Sequence, residues 1–127
     1  MTENEVAKEI VDVAFKTHST YGPGLLESVY EAIMAYELQK RGLGVNRQQP
    51  IPLVHEQIRM GVGFRADLIV ENKVVVEIKS SESIAAVHKK QLLTYLRLTD
   101  KRLGLLVNFN VELIKNGISR VVNGLAE

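Results

Sequence analysis

Apolar residues recur at helical spacing from the start of the chain, at Val6, Ile10, Val13 and Ala14. Thr2 and Glu5 have the spacing of a capping box, so the first helix is expected to begin there and to end near His18, ahead of Tyr21-Gly22-Pro23-Gly24. Gly22 as N-cap and Pro23 as first helical residue would open a second helix, closed by Gly42 after Arg41. Its stripe of Leu26, Val29, Tyr30, Ile33 and Met34 needs a core to cover it. From Gly44 the period changes, and VNRQQPIPLVHE, with its prolines, predicts an irregular or edge strand. A weak turn around Glu56 and Gln57, with Gly61 and Gly63 beyond it, precedes two stronger strands, FRADLIVE and KVVVEIKS, joined through Asn72. Helical spacing returns from Ser81 to Asp100, in Ile84, Val87, Gln91, Leu92, Tyr95, Leu96 and Leu98. LGLLVNFN then reads as a short buried strand, and ELIKNGISRVV as a final hairpin turning on Asn116-Gly117.

This order of elements predicts an α/β fold with a mixed central β-sheet flanked by helices. The passage from Val74 through the Ile84 to Leu98 helix to Leu105 has the form of a strand-helix-strand crossover. No linker or repeat divides the chain, so residues 1–127 are expected to form one domain.

Composition narrows the chemistry. The absence of cysteine excludes disulfides, thiolate metal sites and cysteine nucleophiles, and histidines scattered at 18, 55 and 88 make a poor zinc site. A metal site here has to be built from carboxylates. No apolar run is long enough to cross a bilayer, and the acidic start MTENEVAKE is unlike a signal peptide, so a cytoplasmic protein without membrane contact is expected. The net charge of +1 gives no global nucleic-acid signal. Lys89, Lys90, Arg97, Lys101 and Arg102 do cluster, but the solvated face and end of a helix is the simpler account of them.

VVVEIKS poses the chemical question. Residues two apart on a strand share a face, so if Val75 points inward, Glu77 and Lys79 point in beside it. A buried charge needs a partner. On the preceding strand Asp67 interrupts an apolar segment, and a three-residue loop centred on Asn72 would set it opposite Glu77. Paired carboxylates repel unless a divalent cation lies between them, and hard oxygen donors suit Mg²⁺ or Mn²⁺. Such an ion acidifies a bound water and polarises a phosphoryl oxygen, while a neighbouring lysine positions the water or neutralises charge on the phosphate. That set would hydrolyse a phosphodiester; the plain alternative is an ion pair at a sheet end, with Lys79 reaching to solvent.

Asp67, nine residues, then Glu77-Ile78-Lys79 resembles the D…(D/E)-x-K core of the PD-(D/E)XK nuclease superfamily. Upstream, Gly24-Leu25-Leu26-Glu27-Ser28-Val29-Tyr30 is similar to the signature of the GxxExxY protein family, a small-domain branch of that superfamily. Downstream, Gln91-Leu92-Leu93-Thr94-Tyr95 is similar to the Q-x-x-x-Y motif of RecB-like nucleases. The resemblance runs from about His18 to Asn110 and implies a restriction-endonuclease-like core. It implies Asp67, Glu77 and the Ile78 carbonyl as metal ligands, Lys79 as catalytic lysine, and Glu27 as a helix-borne acid reaching the metal directly or through water. Gln91 and Tyr95, on one helical face, would bind phosphate or bases. The first acidic motif departs from the pattern, since Arg65-Ala66-Asp67 lacks the proline before the aspartate. In a regular strand Arg65 would share the Asp67 face, to bind phosphate or pair with Glu27.

Other positions have two readings. Tyr30 either packs with its hydroxyl hydrogen-bonded or touches substrate. His18 stands before the glycines as a ligand, a base or neither, and the Gly24 amide is a candidate phosphate contact at a helix start. The resulting expectation is a Mg²⁺- or Mn²⁺-dependent nuclease acting on DNA, the substrate being implied by the superfamily alone. So small and weakly charged a domain would draw on a homodimer or a partner protein for more of its groove. The rival readings are a non-cleaving nucleic-acid-binding or assembly module of the same fold, and a metal-dependent phosphoesterase acting on small nucleotides.

Overall fold

In the computed structural model, which describes residues 1–60 and 63–126, helix α1 (Glu3–Tyr21) begins with the reciprocal Thr2 and Glu5 cap. The Glu5 N–H donates to Thr2 Oγ1 at 3.2 Å and the Thr2 N–H to Glu5 Oε1 at 3.1 Å. The helix runs past His18 because Gly22, at φ +70°, closes it by donating to the His18 carbonyl at 2.8 Å. Gly22 is therefore the C-cap of α1 and not the N-cap of the next helix.

Helix α2 (Glu27–Lys40) starts at Glu27 rather than Pro23, and Tyr30 shows why. Its hydroxyl donates to the Gly22 carbonyl at 2.5 Å and accepts from the Leu25 N–H at 3.0 Å, which holds the intervening residues as a loop. The buried face of α2 is Tyr30, Glu31, Met34, Ala35 and Leu38. Leu26, left outside as the N-cap, and Val29 are exposed, contrary to the predicted stripe.

The strands are β1 (Val45–Ile51), β2 (Val54–His55), β3 (Ile58–Arg59), β4 (Phe64–Val70), β5 (Val74–Lys79), β6 (Leu103–Asn108) and β7 (Ile118–Val122). β2 and β3 form a small ribbon turning at Glu56, as expected; Gly61 lies outside the described residues. The other five make one mixed sheet in the order β1-β4-β5-β6-β7. β1 takes the edge, where its proline, Pro50, costs least. β5 and β6 pair in parallel, joined through α3 (Ala86–Thr99), and the remaining pairs are antiparallel. This is the α/β fold with a mixed sheet between helices.

Two local differences from expectation have clear causes. α3 begins at Ala86 rather than Ser81 because Asn108 clamps the preceding segment: its Nδ2 donates to the Ser81 carbonyl at 2.9 Å, and the Ser81 N–H donates to Oδ1 at 3.2 Å. The last connection is not a tight Asn-Gly hairpin but a longer passage with a 3-10 turn at Ile114–Asn116. Gly117 is needed there because a Cβ would fall 2.1 Å from the Asn108 carbonyl oxygen.

Alternation along β5 sets the site. Val74, Val76 and Ile78 pack with α1 and α2, while Val75 packs against Leu92, Tyr95 and Leu96 of α3. Glu77 and Lys79 thus belong to the α3 face. In β1 and β4 the alternation breaks midway: Phe64 and Ile69 both lie on the α3 side, and Val45 and Ile51 on opposite sides. The break falls at Gln48 and Asp67, where Gln48 adopts φ +49° and the ladder skips from Arg47↔Leu68 to Gln49↔Ala66. Among the described residues no helix is long and apolar enough to cross a membrane.

Candidate active site

The β4–β5 loop is Glu71-Asn72-Lys73, with Glu71 and Asn72 at φ +53° and +54°. Three residues centred on Asn72 give the register Val70↔Val74, Ile69↔Val75 and Leu68↔Val76. The next position brings Asp67 to Glu77, but there the ladder stops. Instead the Asp67 side chain enters the gap between the strands and its Oδ2 accepts the Ile78 N–H at 2.7 Å. The N–H and C=O of one strand residue leave on the same side, so the Ile78 carbonyl also opens toward Asp67.

Glu77 is 7% exposed, and its Oε1 is buried with no hydrogen-bond partner. Desolvation first, and then the Asp67 charge beside it, push its pKa up to about 9; Lys79 works more weakly in the opposite direction. Tyr95, almost fully buried on α3, has its phenol pKa raised by burial and by the charges of Glu77 and Asp67. Its ring lies against Phe64, with centroids 5.2 Å apart. Asp67, Glu77 and Tyr95 therefore face one another across the break in the sheet. Lys79 follows half-buried at the end of β5, and Gln91 is exposed one turn before Tyr95.

Other predicted residues sit further out. Glu27 is exposed at the start of α2, its Oε2 accepting from the Ser80 N–H at 3.4 Å, so it touches the end of β5 without joining the acid pair. Among the described residues no three acid or imidazole side chains converge. Arg65 is exposed and does not share the face expected of it, because the alternation breaks before Asp67; it makes no ion pair with Glu27. It lines a groove of about 500 Å³ together with Arg59, Pro50, Pro52, Met60 and Phe64.

Tyr30 is removed from substrate reach. Its ring is fully buried, stacked 4.0 Å from Phe109, and its hydroxyl is committed to loop backbone. His18 is likewise structural, its Nε2 2.8 Å from the Val111 carbonyl oxygen. Gly24 does not begin a helix, so its amide has no helix N-terminus behind it.

Sequence reasoning missed two residues here. Glu31, one turn beyond Glu27, is 5% exposed and fully partnered: Arg47 Nη2 lies 3.1 Å and Nε 3.2 Å from its Oε2, and Gln48 Nε2 donates to its Oε1 at 2.5 Å. The same Gln48 nitrogen donates to Asp67 Oδ1 at 3.2 Å. The i, i+4 relation to Glu27 was a signal for Glu31. Gln48, inside the polar run Asn46-Arg47-Gln48-Gln49, carried none.

The donor set fits a hard divalent cation. A buried carboxylate oxygen without a partner, a second carboxylate beside it and a strand carbonyl opening toward them are the oxygen donors that Mg²⁺ or Mn²⁺ takes, with positions left for water and phosphate. The family model described as the PD-(D/E)XK nuclease superfamily matches residues 4–121. No curated protein and no solved structure matches the chain.

Proposed function

Because the chain belongs to the PD-(D/E)XK nuclease superfamily, we propose that it hydrolyses phosphodiester bonds, with DNA as its substrate, in a reaction that depends on Mg²⁺ or Mn²⁺. The observation that carries this reading is Glu77: a buried carboxylate with a partnerless oxygen, set against Asp67, costs stability unless a cation joins them.

In this reading Asp67, Glu77 and the Ile78 carbonyl hold the ion, and Glu27 closes the outer edge of the site from α2. When bound, the ion supplies Lewis acidity, polarising the phosphate and lowering the pKa of water. Lys79 orients the attacking water and neutralises charge that grows on the phosphate. Gln91 and the Tyr95 hydroxyl bind the strand being cut from the α3 side. Arg65 and Arg59 receive flanking phosphates along the groove that they line with Phe64. With a net charge of only +1, the chain depends on a second copy or a partner protein for the rest of its DNA contact.

The experiment is titration calorimetry of Mn²⁺ into the protein and its Glu77→Ala variant, with cleavage of single- and double-stranded DNA followed in the same samples. Binding and cutting that both vanish in the variant are expected. Binding without cutting of either DNA would turn the reading toward a small nucleotide phosphoester or a non-cleaving binding module. An intact protein that binds no metal would end it.

A further inference from the structure

We propose that Gln48 and Glu31 are positioning residues that fix the orientation of the Asp67 carboxylate, an inference that rests on the reading of Asp67 as a metal ligand. Both partners of Gln48 Nε2 are carboxylate oxygens, Glu31 Oε1 at 2.5 Å and Asp67 Oδ1 at 3.2 Å, so only the nitrogen end of the amide can face them. Asp67 is then held at both oxygens, by Gln48 at Oδ1 and by the Ile78 N–H at Oδ2. Rotation about its last torsion would break one hold or the other. The remaining lone pairs are presented in a fixed direction beside Glu77.

Glu31 anchors the far end. A buried carboxylate on a helix is a rigid post only if its charge is matched, and Arg47 matches it from β1 through Nε and Nη2. Holding Gln48 against it has a backbone cost. Gln48 stands at φ +49°, a conformation that residues other than glycine rarely adopt, and the β1–β4 ladder is interrupted opposite Asp67. A regular strand would keep both backbone hydrogen bonds but would leave the side-chain chain from α2 to Asp67 unmade. Strain concentrated at one residue that touches a site acid is where a supporting contact is expected.

The test compares Gln48→Leu, Glu31→Gln and Asp67→Asn with the intact chain by Mn²⁺ affinity and by amide exchange of Ile78 in the metal-free protein. Asp67→Asn is expected to weaken Mn²⁺ binding by at least ~100-fold, and Gln48→Leu by ~10–100-fold, the usual range for contacts one step from a metal. Glu31→Gln, which keeps the shape and loses the anchoring charge, should fall between Gln48→Leu and the intact protein. Faster Ile78 exchange in Gln48→Leu at unchanged melting temperature supports the hold on Asp67. Unchanged exchange overturns it, whatever the metal does. Intact-level Mn²⁺ affinity in Gln48→Leu, with affinity lost in Asp67→Asn, likewise overturns the positioning role and leaves the metal site standing. If the intact chain binds no Mn²⁺, the metal reading fails, and Ile78 exchange alone decides whether Gln48 fixes Asp67.

Discussion

Glu31 and Glu77 are 5% and 7% exposed, one on α2 and one on β5, and both lie within reach of Asp67 or its contacts. Glu31 is treated as a buried carboxylate must be, with Arg47 and Gln48 occupying both oxygens. Glu77 is not: one oxygen has no partner, and the charge that acts on it most strongly is that of another acid. The fold is therefore able to partner a buried glutamate, and does so a short distance away. The proposed function accounts for this difference, since there the cation is the partner that Glu77 lacks within the chain.

The largest effect that would break the contrast is on turnover. Glu77→Gln is expected to lower Mn²⁺-dependent DNA cleavage by ~10³-fold or more, measured as single-turnover rate, since it removes a donor at the charge-bearing centre. Lys79→Ala should cost ~10²-fold in the same assay while calorimetric Mn²⁺ affinity stays near that of the intact protein, separating the lysine from the acids.

Stability should move in opposite directions for the two glutamates. Glu77 has its folded-state pKa raised from 4.5 to about 9, so the folded state binds the extra proton. Its contribution is fully present below pH 4.5 and is lost as pH rises toward 9. Urea unfolding of metal-free Glu77→Gln should accordingly show a gain of about 2 kcal/mol at pH 9 and almost none at pH 4, the gain being held below the full shift by relaxation around the site. Glu31→Gln should instead lose about 1–2 kcal/mol near neutral pH, because Arg47 is left without its partner and only half in solvent. The smallest effect belongs to the groove: Arg59→Ala should lower the slope of log affinity against log salt by about 1 without changing the cleavage rate of bound DNA.

Much of this site was legible in the amino-acid order because its elements rest on local chemistry. The Thr2 and Glu5 cap, the Asn72-centred loop and the period-two valines of β5 are read within a few residues, and the loop and the valines bring Asp67 to Glu77. What escaped depends on contacts between distant segments. The start of α2 is decided by the Tyr30 hydroxyl reaching back to Gly22, and the start of α3 by Asn108 gripping Ser81, neither of which periodicity records. The reversal of faces at Gln48 and Asp67 coincides with a positive φ at Gln48 and a skipped rung between two strands distant in sequence, so Arg65 could not be placed by alternation. Glu31 and Gln48 become visible only once α2 and β1 are side by side.

The most direct test of why Glu77 is unpartnered is thermal unfolding at pH 8 of the intact protein and Glu77→Gln, each with and without Mn²⁺. Without metal the variant is expected to melt higher. With Mn²⁺ the intact protein should rise above its metal-free value and the variant should not respond. An intact protein that melts at the same temperature with and without Mn²⁺, or a variant stabilised by the ion just as much, would contradict the account.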